Sequence, residues 1–238
     1  MGADEKKSIS FSIRAWAAWD SDGDNICLSW SDTELPKVPT ELRRRITAVG
    51  RRCLECGWFI VSRFQEQPKI VLSSRHGEFT RTFDLLRSID ESEDVSPADF
   101  SLSVHHALAG LLSIVTKNQG GHLAVAAGKD SLGFGFVEAA ASLAESKTPV
   151  LLLYFDEVLP VFFNELIEQP TRPQAFAILL GRSTDPEPEK LEVVFSAINE
   201  LPEASNDFSW NMLSGDLSGS WAGDRYRWGI RRHGRSDG

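Results

Sequence analysis

One stretch limits the folds open to this chain more than any other: His122 to Glu145, H-L-A-V-A-A-G-K-D-S-L-G-F-G-F-V-E-A-A-A-S-L-A-E. Gly120-Gly121 leads into the apolar run His122 to Ala127, which suits a short strand covered on both faces. Gly128 allows a sharp turn, because it can take backbone angles other residues avoid. Asp130 or Ser131 can cap the helix that follows. Leu132, Phe136, Ala139, Ala140 and Leu143 then recur at helical spacing. Gly133 and Gly135 each cost about 1 kcal/mol relative to Ala inside that helix, so the helix is expected to pass very close to another backbone. A chain with such a strand, turn and helix belongs in an α/β layer.

The flanking segments fit that layer. Ile9 to Trp19 alternates loosely and reads as a first strand, followed by a polar loop from Asp20 to Pro39. Thr40 is expected to cap a helix to about Ile60, with Leu42, Ile46, Val49, Cys53 and Cys56 on one stripe. Lys69 to Ser73 is a short strand. Ser74 to Glu78 turns into a helix carrying Phe79, Phe83, Leu86 and Ile89. Phe100 to Val104 alternates and reads as extended, with a helix from about His105 to Val115 after it. Pro149 to Phe155 is a fully apolar strand. Ala175 to Leu180 and Leu191 to Ile198 read as two strands of a hairpin. The expectation is a mixed, mainly parallel sheet of about five strands with helices on both faces. Residues 1–200 are read as one domain and 201–238 as a Trp- and Arg-rich C-terminal tail, including Trp210, Trp221, Trp228, Arg225, Arg227, Arg231, Arg232 and Arg235. That tail could dock a partner or be a loose terminus.

Charge and cysteine content narrow the function classes. The formal net charge is -9, which argues against a general nucleic-acid binder. Three cysteines, Cys27, Cys53 and Cys56, cannot all pair within one chain, so a reducing cytoplasm is expected. No apolar run is long enough for a membrane span, and the N-terminus lacks a signal-peptide core. Met1-Gly2 hints at myristoylation, but Lys6 stands where Ser or Thr is wanted.

Several short motifs have structural explanations that suffice. Gly128-Lys129-Asp130-Ser131 is not a phosphate loop, since Leu123 replaces the first glycine and Asp130 follows the lysine. Gly133-x-Gly135 lacks its third glycine, Glu138 standing there, and falls inside the helix. Cys53-x-x-Cys56 lies in mid-helix with no second pair, as buried cysteines do. His76, flanked by Arg75 and Glu78, follows a strand, where α/β sheets place ligands. With His105 and His106 it is the best polar candidate for a site; the alternative is an Arg75–Glu78 ion pair with a capping histidine. No spacing favours a metal, and nothing calls for a cofactor.

The order of elements resembles the N-terminal half of the β-ketoacyl synthases, enzymes of the thiolase fold. The words S-S-R-H-G-E and F-S-L-S-V-H-H-A are similar to a divergent ketosynthase-like branch that accompanies aryl-polyene and other polyketide-type pathways. Some members carry the label chain-length factor. The resemblance covers about Ile9 to Asn199. In that family the strand ends in Thr-Ala-Cys and the cysteine is acylated; here Ala126-Ala127-Gly128 takes the position. The family's C-terminal half, with its two catalytic histidines, has no counterpart. The resemblance therefore implies no condensing catalyst, because that chemistry needs a thiolate and histidines. It implies a non-catalytic subunit that pairs with a ketosynthase or with itself, with acyl carrier protein as a further partner. The other reading is a stand-alone acyltransferase or thioesterase using Ser131 or Asp130 with His105 or His76.

Overall fold

The computed structural model describes residues 6–30, 37–40, 46–64, 66–166, 172–198 and 218–234. Its frame is a nine-stranded sheet. The strands are β1 (Lys7–Asp20), β2 (Asn25–Leu28), β3 (Lys69–Ser73), β4 (His122–Val125), β5 (Val150–Asp156), β6 (Gln174–Arg182), β7 (Glu189–Ala197), β8 (Ser218–Ala222) and β9 (Tyr226–His233). The helices are α1 (Ala48–Arg63), α2 (Phe79–Asp90), α3 (Pro97–Ser103), α4 (Ala107–Thr116) and α5 (Ser131–Glu145). A 3-10 segment, Val161–Leu166, follows β5.

The strand order is β4-β3-β5-β6-β1-β7-β9-β8, with β2 pairing the far end of β1. The sheet is mixed. Its parallel block is β4-β3-β5, and every pair from β5 onward is antiparallel. The antiparallel share is thus larger than the alternation of strands and helices suggests. The reason is the long first strand. β1 lies between β6 and β7 and runs antiparallel to both. The expected β6–β7 hairpin is therefore not formed, although both strands are present.

β1 also explains its loose alternation. Ile13 pairs with Leu180 and Ala15 with Leu179, so Arg14 is an extra residue at a bulge. A bulge reverses which face successive side chains take. Phe11, Ile13, Trp16 and Ala18 enter the core under α5, while Ala15 and Ala17 enter the core under α1 and α4. β5 supplies both cores, Val150 and Leu152 to one and Leu151, Leu153 and Phe155 to the other. Each such buried Leu or Phe is worth about 1.5–3 kcal/mol.

Other expectations need correction. The helix capped from Thr40 begins later: Thr47 caps α1, its Oγ1 accepting from Gly50 N at 3.2 Å. Leu42 lies outside the described residues. Cys53 and Cys56 are buried in α1, and Cys27 is half-buried; all three are free thiols. Phe100 to Val104 is not extended. Ser96 caps α3 through Asp99 N at 3.3 Å, with Pro97 in the first turn. That start signature outweighs the two-residue alternation of F-S-L-S-V. β4 is not a strand covered on both faces. It pairs only with β3 among the described residues, at the sheet's edge, and is half-buried or exposed throughout.

The segment expected as a tail contains two strands that extend the sheet. β9 pairs with β7 and β8 with β9. Trp221 and Trp228 stack at 6.2 Å between ring centres and belong to the core under α5. Arg231 pairs with Glu192 at 3.5 Å and Arg232 with Glu189 at 2.9 Å, both on neighbouring strands. Trp210 and Arg235 lie outside the described residues.

Candidate functional site

The carboxyl ends of β3, β4 and β5 meet at one rim of the sheet, where α/β folds place their chemistry. The turn after β4 is tight. Gly128 has a φ of 61°, the left-handed region that suits glycine. Ser131 Oγ accepts from Ala127 N at 2.9 Å and donates to Gly128 O at 2.7 Å. The carbonyl of Ser131 accepts from Ser73 Oγ at 2.7 Å. Asp130 is the N-cap residue of α5, as expected, but its side chain makes no capping hydrogen bond. The serine hydroxyl is committed to closing the turn, and no histidine is among its hydrogen-bond partners.

Asp130 is fully buried and serves a different purpose. Its carboxylate accepts from Asp224 N at 3.1 Å, Arg225 N at 2.9 Å, Tyr226 N at 3.3 Å and Trp228 Nε1 at 2.7 Å. It thereby fastens the β8–β9 turn onto the start of α5. The glycines of α5 fit the same picture. A Cβ on Gly133 would fall into the indole of Trp228, and one on Gly135 would come 2.9 Å from Ser73 Cβ. The close neighbours are side chains, not the second backbone that the glycines suggested.

Asp224 reaches from that turn across the apex at Gly128. Its Oδ2 accepts from Lys129 N at 2.9 Å. A Cβ placed on Gly128 would overlap this oxygen. A side chain at 128 would therefore have to adopt a left-handed backbone and push Asp224 off its amide. Lys129 itself is exposed. A small cleft of about 40 Å³ lies beside the turn, bordered by Arg75, Lys129, Tyr154, Asp156, Arg172 and Trp221 among others. That is room for a few water molecules.

The end of β5 organises the neighbouring loop. Asp156 accepts from Ser74 Oγ at 3.0 Å, Arg75 N at 2.6 Å, His76 N at 3.3 Å and Tyr154 OH at 2.6 Å. Burial pushes its carboxyl up, and these donors pull it back down. His105 joins its Nε2 to Ser74 O at 2.9 Å, and its ring packs on Gly77, whose φ is 62°. His76 is half-buried. Burial, then the positive charge of Arg75 and the neighbouring His105, lower it to about 4, so it is neutral at pH 7.

Glu78 sits apart from these histidines. It accepts from Thr47 N at 3.1 Å and Thr47 Oγ1 at 2.7 Å, bracing the start of α1, and lies 3.6 Å from Arg81 Nε. Burial raises its carboxyl, and it raises that of Glu157, which burial already lifts. His106 stacks on His122 at 6.1 Å, at the open edge of β4. The candidates thus divide into three places: Lys129, Asp130 and Ser131 at the turn; His76 on the β3 loop, with His105 reaching it from the α3–α4 junction; His106 on the edge. Glu78 belongs to a helix start. Sequence reasoning missed Asp156, Tyr154 and Asp224. Asp156 ends a recognisable strand, but Asp224 lies far along a segment without a clear period.

The family model for the N-terminal domain of β-ketoacyl synthases matches residues 16–216. The chain belongs to the β-ketoacyl synthase family. No curated protein matches it. Among solved structures, the ketosynthase-like domain is similar to a ketosynthase (ApeO) in complex with its chain length factor (ApeC) from Xenorhabdus doucetiae. The TM-score is 0.76 at 26% identity, covering 94% of this chain and 99% of that one. It also resembles the ishigamide ketosynthase/chain length factor, with a TM-score of 0.54 at 14% identity over 77% of this chain and 66% of that one. A third is the type II polyketide synthase assembly AntDE:AntF, an acyl-carrier protein with its ketosynthase bound to the hexaketide. There the TM-score is 0.53 at 13% identity, over 74% and 63% of the two chains. These two likenesses are of fold. The architecture is the thiolase-like ketosynthase fold. Among the described residues no single helix is long and apolar enough to cross a membrane.

Proposed function

We propose that this chain is a non-catalytic, chain-length-factor-like subunit that pairs with a ketosynthase in fatty-acid or polyketide-type biosynthesis, the aryl-polyene kind included. One observation carries the reading: at Gly128, which we read as the counterpart of the family's nucleophile, the space a side chain would need is taken by the carboxylate of Asp224. Ketosynthase chemistry requires a thiolate there to hold the acyl group. The likeness to a ketosynthase–chain length factor complex, over nearly the whole of both chains, supports the same reading.

Two surfaces support pairing. β4 leaves one backbone edge without a strand among the described residues, and such edges invite another chain. Further round, Phe100 is 62% exposed, Val161 81% and Phe162 71%. An apolar face of this kind marks a partner site. Acyl carrier protein would then visit the assembly through the ketosynthase. The stand-alone acyltransferase or thioesterase loses support, because Ser131 Oγ is buried and held in the turn.

The test has two arms. Purified protein incubated with acyl- and malonyl-loaded carrier protein should form no condensation product and no acyl adduct by intact mass. Sedimentation with a ketosynthase from its own pathway should show a heterodimer. An adduct on Ser131, or a strict monomer with every such ketosynthase, overturns the proposal. Gly128→Cys should also remain inactive.

A further inference from the structure

A second cleft lies on the opposite face of the sheet from the Gly128 turn, at the start of α1. Its volume is about 350 Å³, bordered by Trp19, Asp24, Ala48, Arg51, Arg52 and Glu55. Small-molecule sites begin at about 300 Å³. The two arginines differ in their commitments. Arg52 donates from Nη1 to Glu55 at 2.7 Å and from Nη2 to Asp24 at 2.7 Å, so one guanidinium holds both bordering carboxylates. Asp24 also accepts from Trp19 Nε1 at 3.0 Å. The other acids of the adjoining turn are engaged too: Asp20 accepts from Asp22 N at 3.0 Å, and Asp22 pairs with Arg172 at 3.5 Å.

Arg51 has no such match. Its Nε is buried and has no hydrogen-bond partner among the described residues. A buried donor left unpaired costs about 1–3 kcal/mol. The guanidinium fork matches planar or tetrahedral oxyanions, with two donors on one group. Trp19 and Ala48 supply an apolar wall beside it.

We propose that this cleft binds a small organic oxyanion, a phosphate or carboxylate carried on a flat apolar body, with Arg51 taking the anion and Trp19 the body. The site is separate from the Gly128 turn and does not depend on the reading of that turn.

Phenyl phosphate is the probe, titrated calorimetrically at low ionic strength into the full chain. Binding at submillimolar concentration is expected, with a shift of one indole N–H resonance that Trp19→Phe removes. Arg51→Gln should weaken binding at least tenfold, and Ala48→Phe, which fills the cleft, should abolish it. Lys129→Gln should leave it unchanged. Inorganic phosphate should bind at least tenfold more weakly than phenyl phosphate. No binding, equal binding by inorganic phosphate, or affinity indifferent to both Arg51→Gln and Ala48→Phe overturns the proposal. If Arg51→Gln fails to fold, Ala48→Phe decides alone.

Discussion

The β8–β9 side of the molecule and the α2–α3 side use similar aromatic and apolar residues to opposite ends. On the β8–β9 side Trp221, Trp228 and Ile230 are buried, and Trp228 finds an acceptor in Asp130 for its indole N–H. Phe195 and Tyr226 pack around it at 5.1 and 5.5 Å. On the other side α2 and α3 bury no residue fully. Leu86, Ile89, Phe100 and Val161 face outward, while Phe83 and Phe163 pair at 5.6 Å beneath. What holds α2 to α3 is polar, Arg81 to Asp99 at 2.6 Å. Closing the first surface uses the chain's own hairpin. The second surface has the composition of an interface without its other half, which is why a partner is proposed there.

The comparison can be broken most forcefully at Asp130. Asp130→Ala leaves the Trp228 N–H and the turn amides without their acceptor in a buried place. A loss of about 3–5 kcal/mol in urea unfolding is expected. A loss below about 1 kcal/mol would mean that the hairpin is not fastened there.

Gly133→Ala sharpens the same side. Helix propensity alone would stabilise by about 1 kcal/mol. The Trp228 ring occupies the place of the new methyl, and overpacking of this kind costs about 1–3 kcal/mol. The sign of the change decides between them. Shrinking Trp228 to Leu in the same protein should remove the penalty.

His76 gives a smaller, pH-dependent effect on the rim between the two regions. Its folded value of about 4 lies below the ordinary 6.5, so the unfolded chain takes the proton first. Its contribution is fully present above pH 6.5 and is lost as the pH falls towards 4. Wild type should therefore lose more stability than His76→Gln between pH 6.5 and 4. Glu78, Asp156 and Glu157, raised by burial, act in the opposite sense, and they cancel in the difference between the two proteins. Parallel curves for the two proteins would refute the assignment.

On the α2–α3 side the expected change in stability is smallest. Ile89→Lys or Phe162→Lys should alter it by no more than about 0.5 kcal/mol. Association with a ketosynthase should fall at least tenfold in the same variants. Unchanged association would remove this face from the interface.

The strand at Val150 to Phe155, the helix at 131–145 and the buried cysteines of α1 were legible in the sequence, because burial on both faces or on one stripe leaves a local apolar pattern. The family was legible too, from the order of elements and from Ser73 to Glu78 and Phe100 to Ala107. The amino-acid sequence alone also determined that no cysteine stands in the turn at Gly128. Only the tertiary structure decided that β1 separates β6 from β7, that the Trp- and Arg-rich segment closes the sheet, and that Asp224 fills the space above Gly128. Each of these joins residues far apart in the chain, such as Asp130 and Trp228. Local periodicity reports which face a residue buries but not which distant strand it is buried against, and a carboxylate on an irregular turn carries no local pattern at all.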